Sequence, residues 1–157
     1  MAIVETDDAL SLRKKLASTG AELLAQTLPG VFDGDIEPQV QDESKATYCP
    51  KMDRESGELQ WLKEDAFTME RKCKAYRPWP SLYTLFGGKR LKVLSGVASH
   101  DASALPGHVT RVGSEIGVGT TNGIFLLKEV QWDGKTACSI ASFVRGHPEF
   151  MHAMLPC

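Results

Sequence analysis

With 157 residues, of which 42% are hydrophobic and 24% charged, the chain has the makeup of a soluble globular protein: one ordinary domain, or one small domain with an arm. No apolar run approaches the roughly 20 residues of a membrane-spanning helix, and the acidic start from Met1 to Asp8 reads as neither a signal peptide nor a transit peptide. The net charge of −2 hides an acidic front (residues 1–68, 7 Lys and Arg against 14 Asp and Glu) and a basic back (residues 69–157, 11 against 6), which turns the back half toward a polyanion.

In chain order, Asp7 or Asp8 is placed to cap a helix, because a carboxylate there accepts from the unpaired N–H groups of the first turn. Leu12 and Leu16 share one face; Leu23, Leu24, Leu28, Val31 and Phe32 continue an apolar stripe. Gly20 interrupts it, and Pro29, Gly30 and Gly34 weaken and stop it. The front therefore predicts two short helices or one broken helix over residues 1–34. Residues 35–62 are polar and turn-rich and predict a linker. Within residues 63–157, Ala66 to Tyr76 predicts a short amphipathic helix through Phe67, Met69, Cys73 and Tyr76. It ends before Arg77-Pro78, because the residue before a proline is disfavoured in the helical region.

Beyond Pro78 the pattern turns to β. Leu82–Phe86 and Arg90–Leu94 flank Gly87-Gly88, a hairpin signal. Further strands are predicted over 107–112, 115–120 and 124–132, with turns at Gly113-Ser114, Asn122-Gly123 and Asp133-Gly134. Ser139 is placed to cap a last short helix, which Gly146 and Pro148 end. The expected class is α+β: a helical N-terminal arm and a linker, then a small oligonucleotide-binding (OB)-like β-barrel with one or two short helices.

Few side chains present catalytic chemistry. Cys49, Cys73, Cys138 and Cys157 are scattered without zinc spacing and read as free thiols of a reducing compartment. Gly117-Val118-Gly119 reads as strand and turn, since no helix opens there and no lysine follows. His147 and His152 lie five apart, not in the i, i+4 pairing of a zinc helix, so no metal is expected. The carboxylate pairs Asp7-Asp8 and Glu64-Asp65 read as helix ends. Basic residues are better arranged. Arg90 and Lys92 alternate with Leu91 and Val93, which puts the cations on one face of a strand and the apolar pair on the other. Lys89 begins that strand. Arg111, Lys128 and Lys135 are candidates for the same surface, and Lys74 and Arg77 lie just before it. Cations on such a face suit phosphate contacts. Tyr76, Trp79 and Tyr83 are expected to plug the junction of linker and barrel; the alternative, clearest for Trp79 held extended between two prolines, is to stack on a base.

Several phrases occur together in order: Gly20-Ala21-Glu22-Leu23-Leu24, Gln41-Asp42-Glu43-Ser44-Lys45-Ala46-Thr47-Tyr48 with Pro50-Lys51, Lys74-Ala75-Tyr76-Arg77-Pro78-Trp79-Pro80, Leu126-Leu127-Lys128-Glu129-Val130-Gln131, and Phe143-Val144-Arg145-Gly146. In these the chain resembles methionyl-tRNA formyltransferase from about Asp8 to about Gly146, departing at Arg77, where the family commonly has Asn. The resemblance implies a helical remnant of the N-terminal formyltransferase domain (1–34), a linker (35–62) and a C-terminal OB-like tRNA-binding domain (63–157). It implies initiator methionyl-tRNA as partner, held through Lys74, Arg77, Lys89, Arg90, Lys92, Arg111 and Lys135, and a cytoplasmic location, or an organellar one in a eukaryote. The full-length family takes its formyl group from 10-formyltetrahydrofolate. Its catalytic Asn-x-His-x-Ser-x-Leu-Pro segment is not found here, so the chain is expected to carry no catalytic residue and no cofactor, and a separate catalytic domain is a candidate partner. Two other readings stay open: a stand-alone OB-type RNA-binding or interaction module, and a fragment of a related folate or nucleotide-sugar formyltransferase.

Overall fold

A computed structural model describes residues 1–101 and 103–156, which fall into two compact units, Met1–Met52 and Asp53 onward. The first unit is built on α1, Ala9–Asp33. Asp8 caps it: its carboxylate accepts from the Ser11 N–H at 2.8 Å, and the Asp8 N–H donates to Ser11 Oγ at 3.0 Å. Asp7 accepts from Lys15 at 2.6 Å, from the Val4 N–H and from Ser11 Oγ. The lysine bond first, then the Val4 N–H and the Ser11 hydroxyl, hold its carboxyl at about 2. Contrary to the broken arm expected from the sequence, α1 is continuous. A central glycine costs a helix only about 1 kcal/mol relative to alanine, too little to break 25 residues. Pro29 removes one N–H bond near the end without stopping the helix, and the stop comes at Gly34, left-handed at φ 81°. No α1 side chain is buried, and Leu16, Leu23, Leu24 and Phe32 stand exposed.

The second unit is α+β. Helix α2 (Ala66–Ala75) starts on the Asp65 carboxylate, which accepts from the Thr68 N–H at 2.7 Å. Six strands follow: β1 (Leu82–Phe86), β2 (Lys89–Ser99), β3 (Val109–Val112), β4 (Glu115–Gly119), β5 (Ile124–Trp132) and the short β6 (Cys138–Ser139). Helix α3 (Ile140–Gly146) is capped by Ser139. These strands pair with one another antiparallel, in the order β1-β2-β5-β4-β3, with β6 beside β5. Gly87 and Gly88, at φ 54° and 72°, form the tight turn that returns β1 into β2.

This sheet is open, not the closed barrel expected from the sequence. Among the described residues β1 and β3, at its two ends, do not pair with each other. The physical reason lies at the β1 edge, where the incoming chain takes the hydrogen-bonding sites: the Leu59 N–H donates to the Tyr83 carbonyl at 2.9 Å, and Glu58 bridges Tyr83. The approach is so close that a Cβ on Gly57 would stand 2.1 Å from the Ser81 carbonyl oxygen.

Strand β2 runs on to Ser99, past its expected end at Leu94. Its register shifts between Val93 and Gly96, and Gly96 leaves room for the Phe125 ring. The core lies between the sheet and its helices. Trp61, Met69, Leu91, Phe125, Leu127, Val130 and Phe150 are fully buried in it. Leu59 and Trp61, from the end of the polar segment read as linker, are part of this core. Cys49, Cys73 and Cys138 are free thiols, and Cys157 lies outside the described residues.

Candidate nucleic-acid interface

The hairpin of β1 and β2 creates a two-faced surface. Inward, Leu82 pairs with Val93 and Thr84 with Leu91; outward, Tyr83 pairs with Lys92 and Leu85 with Arg90. The alternation of Arg90 and Lys92 with buried Leu91 and Val93 thus has the expected sense. Each outward cation has a holder. The Arg90 guanidinium lies 4.0 Å from the centre of the Tyr83 ring, a cation–π arrangement that orders a long side chain. Burial and the Glu58 carboxylate push the Tyr83 hydroxyl above its ordinary range, against the opposing pull of Arg90. Lys92 pairs with Asp133 at 3.0 Å.

Two adjoining grooves meet at this hairpin. The larger, of about 880 Å³, is lined by Phe86, Lys89, Arg90, Trp132, Asp133 and Lys135, and also by His147 and Glu149. The smaller, of about 260 Å³, is lined by Arg54, Trp79, Tyr83, Arg90, Lys92 and Asp133. Arg90 and Asp133 line both, so the cations form one continuous stretch. Lys89 and Lys135 are exposed and, among the described residues, take part in no ion pair.

Of the seven candidate cations, Lys89, Arg90, Lys92 and Lys135 come together here. Arg111 does not: it sits on β3, three steps from β2 in the strand order. Lys74 pairs with Glu70 along α2 at 2.8 Å, and Arg77 is exposed but lines neither groove. Lys128 is paired with Glu115 at 2.8 Å. Trp79 departs from the plug expected of it: 51% exposed, it forms a wall of the smaller groove. Tyr83 is buried, and Tyr76 packs against the core.

Sequence reasoning missed Asp133 and Glu149, and with them four other groove residues. Arg54 lies in a segment too polar to attract notice. Phe86 and Trp132 each sit beside a glycine turn, Gly87-Gly88 and Asp133-Gly134, and an aromatic ring at a strand end by a turn was the available signal. His147 gave none. Its Nδ1 faces the Phe143 carbonyl at 3.1 Å and so donates to it; its Nε2, at 3.5 Å, then accepts from the Trp132 indole N–H.

The arrangement suits a polyanion bearing aromatic bases: phosphates on the cations and ring faces beside them. Asp133 is committed to Lys92, and both His147 nitrogens are engaged.

Residues 51–148 match the family described as "Formyl transferase, C-terminal domain", a span that contains every groove residue named above except Glu149. The methionyl-tRNA formyltransferase of Bacillus subtilis (strain 168) is 40% identical over 147 residues, 92% of this chain and 46% of that protein. That of Caldanaerobacter subterraneus is 34% identical over 148 residues, 94% and 48%. That of Nitrosococcus oceani is 38% identical over 144 residues, 90% and 44%. The chain spans about half the length of the curated relatives it matches. Among solved structures, a variant of HypX from Aquifex aeolicus superimposes with a TM-score of 0.66 at 20% identity, covering 91% of this chain and 27% of HypX. HypX in complex with tetrahydrofolic acid gives 0.59 at 22%, covering 83% and 23%. At these identities the HypX likeness speaks for the fold alone.

Proposed function

We propose that this chain, which belongs to the formyl transferase C-terminal domain family, is the RNA-holding part of a methionyl-tRNA formyltransferase of the cytoplasm. The observation that carries the reading is the convergence of Lys89, Arg90, Lys92, Lys135 and Arg54 along two joined grooves walled by Trp79, Tyr83, Phe86 and Trp132. The relatives that match nearly the whole chain are methionyl-tRNA formyltransferases, and their substrate is a polyanion of the kind this surface complements. In the reaction so inferred, a formyl group passes from 10-formyltetrahydrofolate to the amino group of methionyl initiator tRNA. The chain's part is to hold the tRNA so that the amino group is presented in a fixed position; such positioning lowers the entropic part of a barrier.

Two results are expected. Initiator tRNA binds the purified chain, and with about five phosphate contacts its affinity falls on the order of 10²–10³-fold between 50 and 200 mM salt. Fluorescence anisotropy with labelled tRNA measures this, and binding that ignores salt, or no binding at all, overturns the reading. The second result is negative: given tRNA and the formyl donor, the 157-residue chain forms no formyl-methionyl-tRNA. Product above the protein-free control would assign chemistry to residues to which only RNA holding is ascribed.

A further inference from the structure

We infer that the larger groove takes one unpaired nucleotide of the bound RNA, its base on the Phe86 and Trp132 rings and its flanking phosphates on Lys89 and Lys135. The inference rests on the RNA-holding role proposed above. Phe86 and Trp132 lie nearly parallel, 15° apart in plane, with centroids 6.0 Å apart. Both are half-buried and line the groove, whereas Lys89 and Lys135 are exposed at its edge. Cations therefore stand outside and aromatic surface lies within.

A paired nucleotide cannot use such a site. In a duplex each base shows only its edges, its faces being covered by its neighbours in the stack. Only a nucleotide turned out of the helix brings a ring face to a recessed ring, which is how unpaired bases of RNA are generally recognised. The volume of about 880 Å³ lies within the roughly 300–1,000 Å³ usual for small-ligand sites.

The Trp132 ring is held for this use. Its indole N–H bonds His147 Nε2, and Phe143 packs against it at 5.6 Å between centroids. The acidic lining does not contradict an anionic ligand. Asp133 is neutralised by Lys92, and Glu149 stands alone against Lys89, Arg90 and Lys135. The cations continue into the smaller groove through Arg90, which favours a nucleotide within a strand over a free one.

The test compares two RNA duplexes matched in phosphate number, one blunt and fully paired, the other with a single bulged adenosine. The bulged duplex is expected to bind the full chain about tenfold tighter, from the usual worth of one base stacked on an aromatic ring. Trp132→Leu and Phe86→Leu, each checked for cooperative melting, are expected to bring the ratio of bulged to blunt affinity from about ten to about one. Equal affinity of the wild type for the two duplexes overturns this inference and leaves the RNA-holding role standing, while no binding of either overturns the role itself. A preference that survives both leucine variants, or AMP binding as tightly as the bulged RNA, also overturns it.

Discussion

Replacing Lys89, Arg90 and Lys135 together by glutamine is expected to weaken initiator-tRNA binding by about 100-fold at low salt and to reduce the log–log salt slope by about 3, one unit for each phosphate no longer neutralised. The three side chains share one groove, yet they sit on two separate turns of the fold: Lys89 and Arg90 open β2, while Lys135 follows the Asp133-Gly134 turn. A joint effect would therefore report a surface rather than a single residue. The fold should tolerate the change. Lys89 and Lys135 are exposed, and Arg90 gives up a cation–π interaction with Tyr83, typically worth about 0.5–1 kcal/mol at such a site. Arg111→Gln is the matched control. Arg111 is also exposed and cationic but lies on β3 at the far end of the strand order, so its loss should change affinity by less than about twofold, the size of a distant, screened charge. An undiminished slope in the triple variant, or an Arg111 effect as large, would remove the groove from the account and leave only diffuse attraction to a basic half-chain.

The contrast between Arg90 and Arg111 also shows what the sequence can carry. Strand alternation is local, so the outward sense of Arg90 and Lys92 was readable from four residues. The Gly87-Gly88 turn, the extent of β5 and the Ser139 cap were readable for the same reason: each depends on neighbours within a few positions. Which strands lie side by side depends on contacts far apart in the chain, and nothing near Arg111 says that three strand steps separate it from β2. The open sheet was hidden likewise. It results from Glu58 and Leu59 occupying the edge of β1, residues whose polar surroundings look like linker. The same misdirection concealed Arg54. In β2 the apolar rhythm breaks at Ser95-Gly96, so alternation alone ends the strand at Leu94. The register shift there and the Phe125 ring against Gly96 explain why the strand continues without it. The phrases shared with methionyl-tRNA formyltransferases named the family, but no single phrase holds the groove, which draws on Arg54, β1, β2, the end of β5 and the region of His147.

Trp61→Ala is expected to destabilise the second unit by about 3–5 kcal/mol, the usual range for removing a buried large aromatic side chain. Trp61 has no exposed surface, and its ring lies 6.5 Å from that of Phe125. Its indole N–H donates to Thr84 Oγ1 at 3.1 Å, both groups being buried. Truncation therefore opens a cavity and leaves the Thr84 hydroxyl without its donor. Small domains have only about 5–15 kcal/mol in total, so the variant should melt far earlier or fail to fold. The consequence reaches the proposed RNA surface through β1. Thr84 faces inward opposite Leu91, and Tyr83 and Leu85, its neighbours on the outward face, stand opposite Lys92 and Arg90. Loosening the inner face of this hairpin loosens the platform on which the cations are set. Trp61→Phe separates the two contributions, since it keeps most of the ring while deleting the N–H. It should cost about 1–2 kcal/mol, near the value of one buried hydrogen bond with some loosened packing, and should leave tRNA affinity nearly unchanged. Urea denaturation followed by circular dichroism measures both variants. A destabilisation below about 1 kcal/mol for Trp61→Ala, far under the usual range, would mean that Trp61 does not join the entering segment to the sheet.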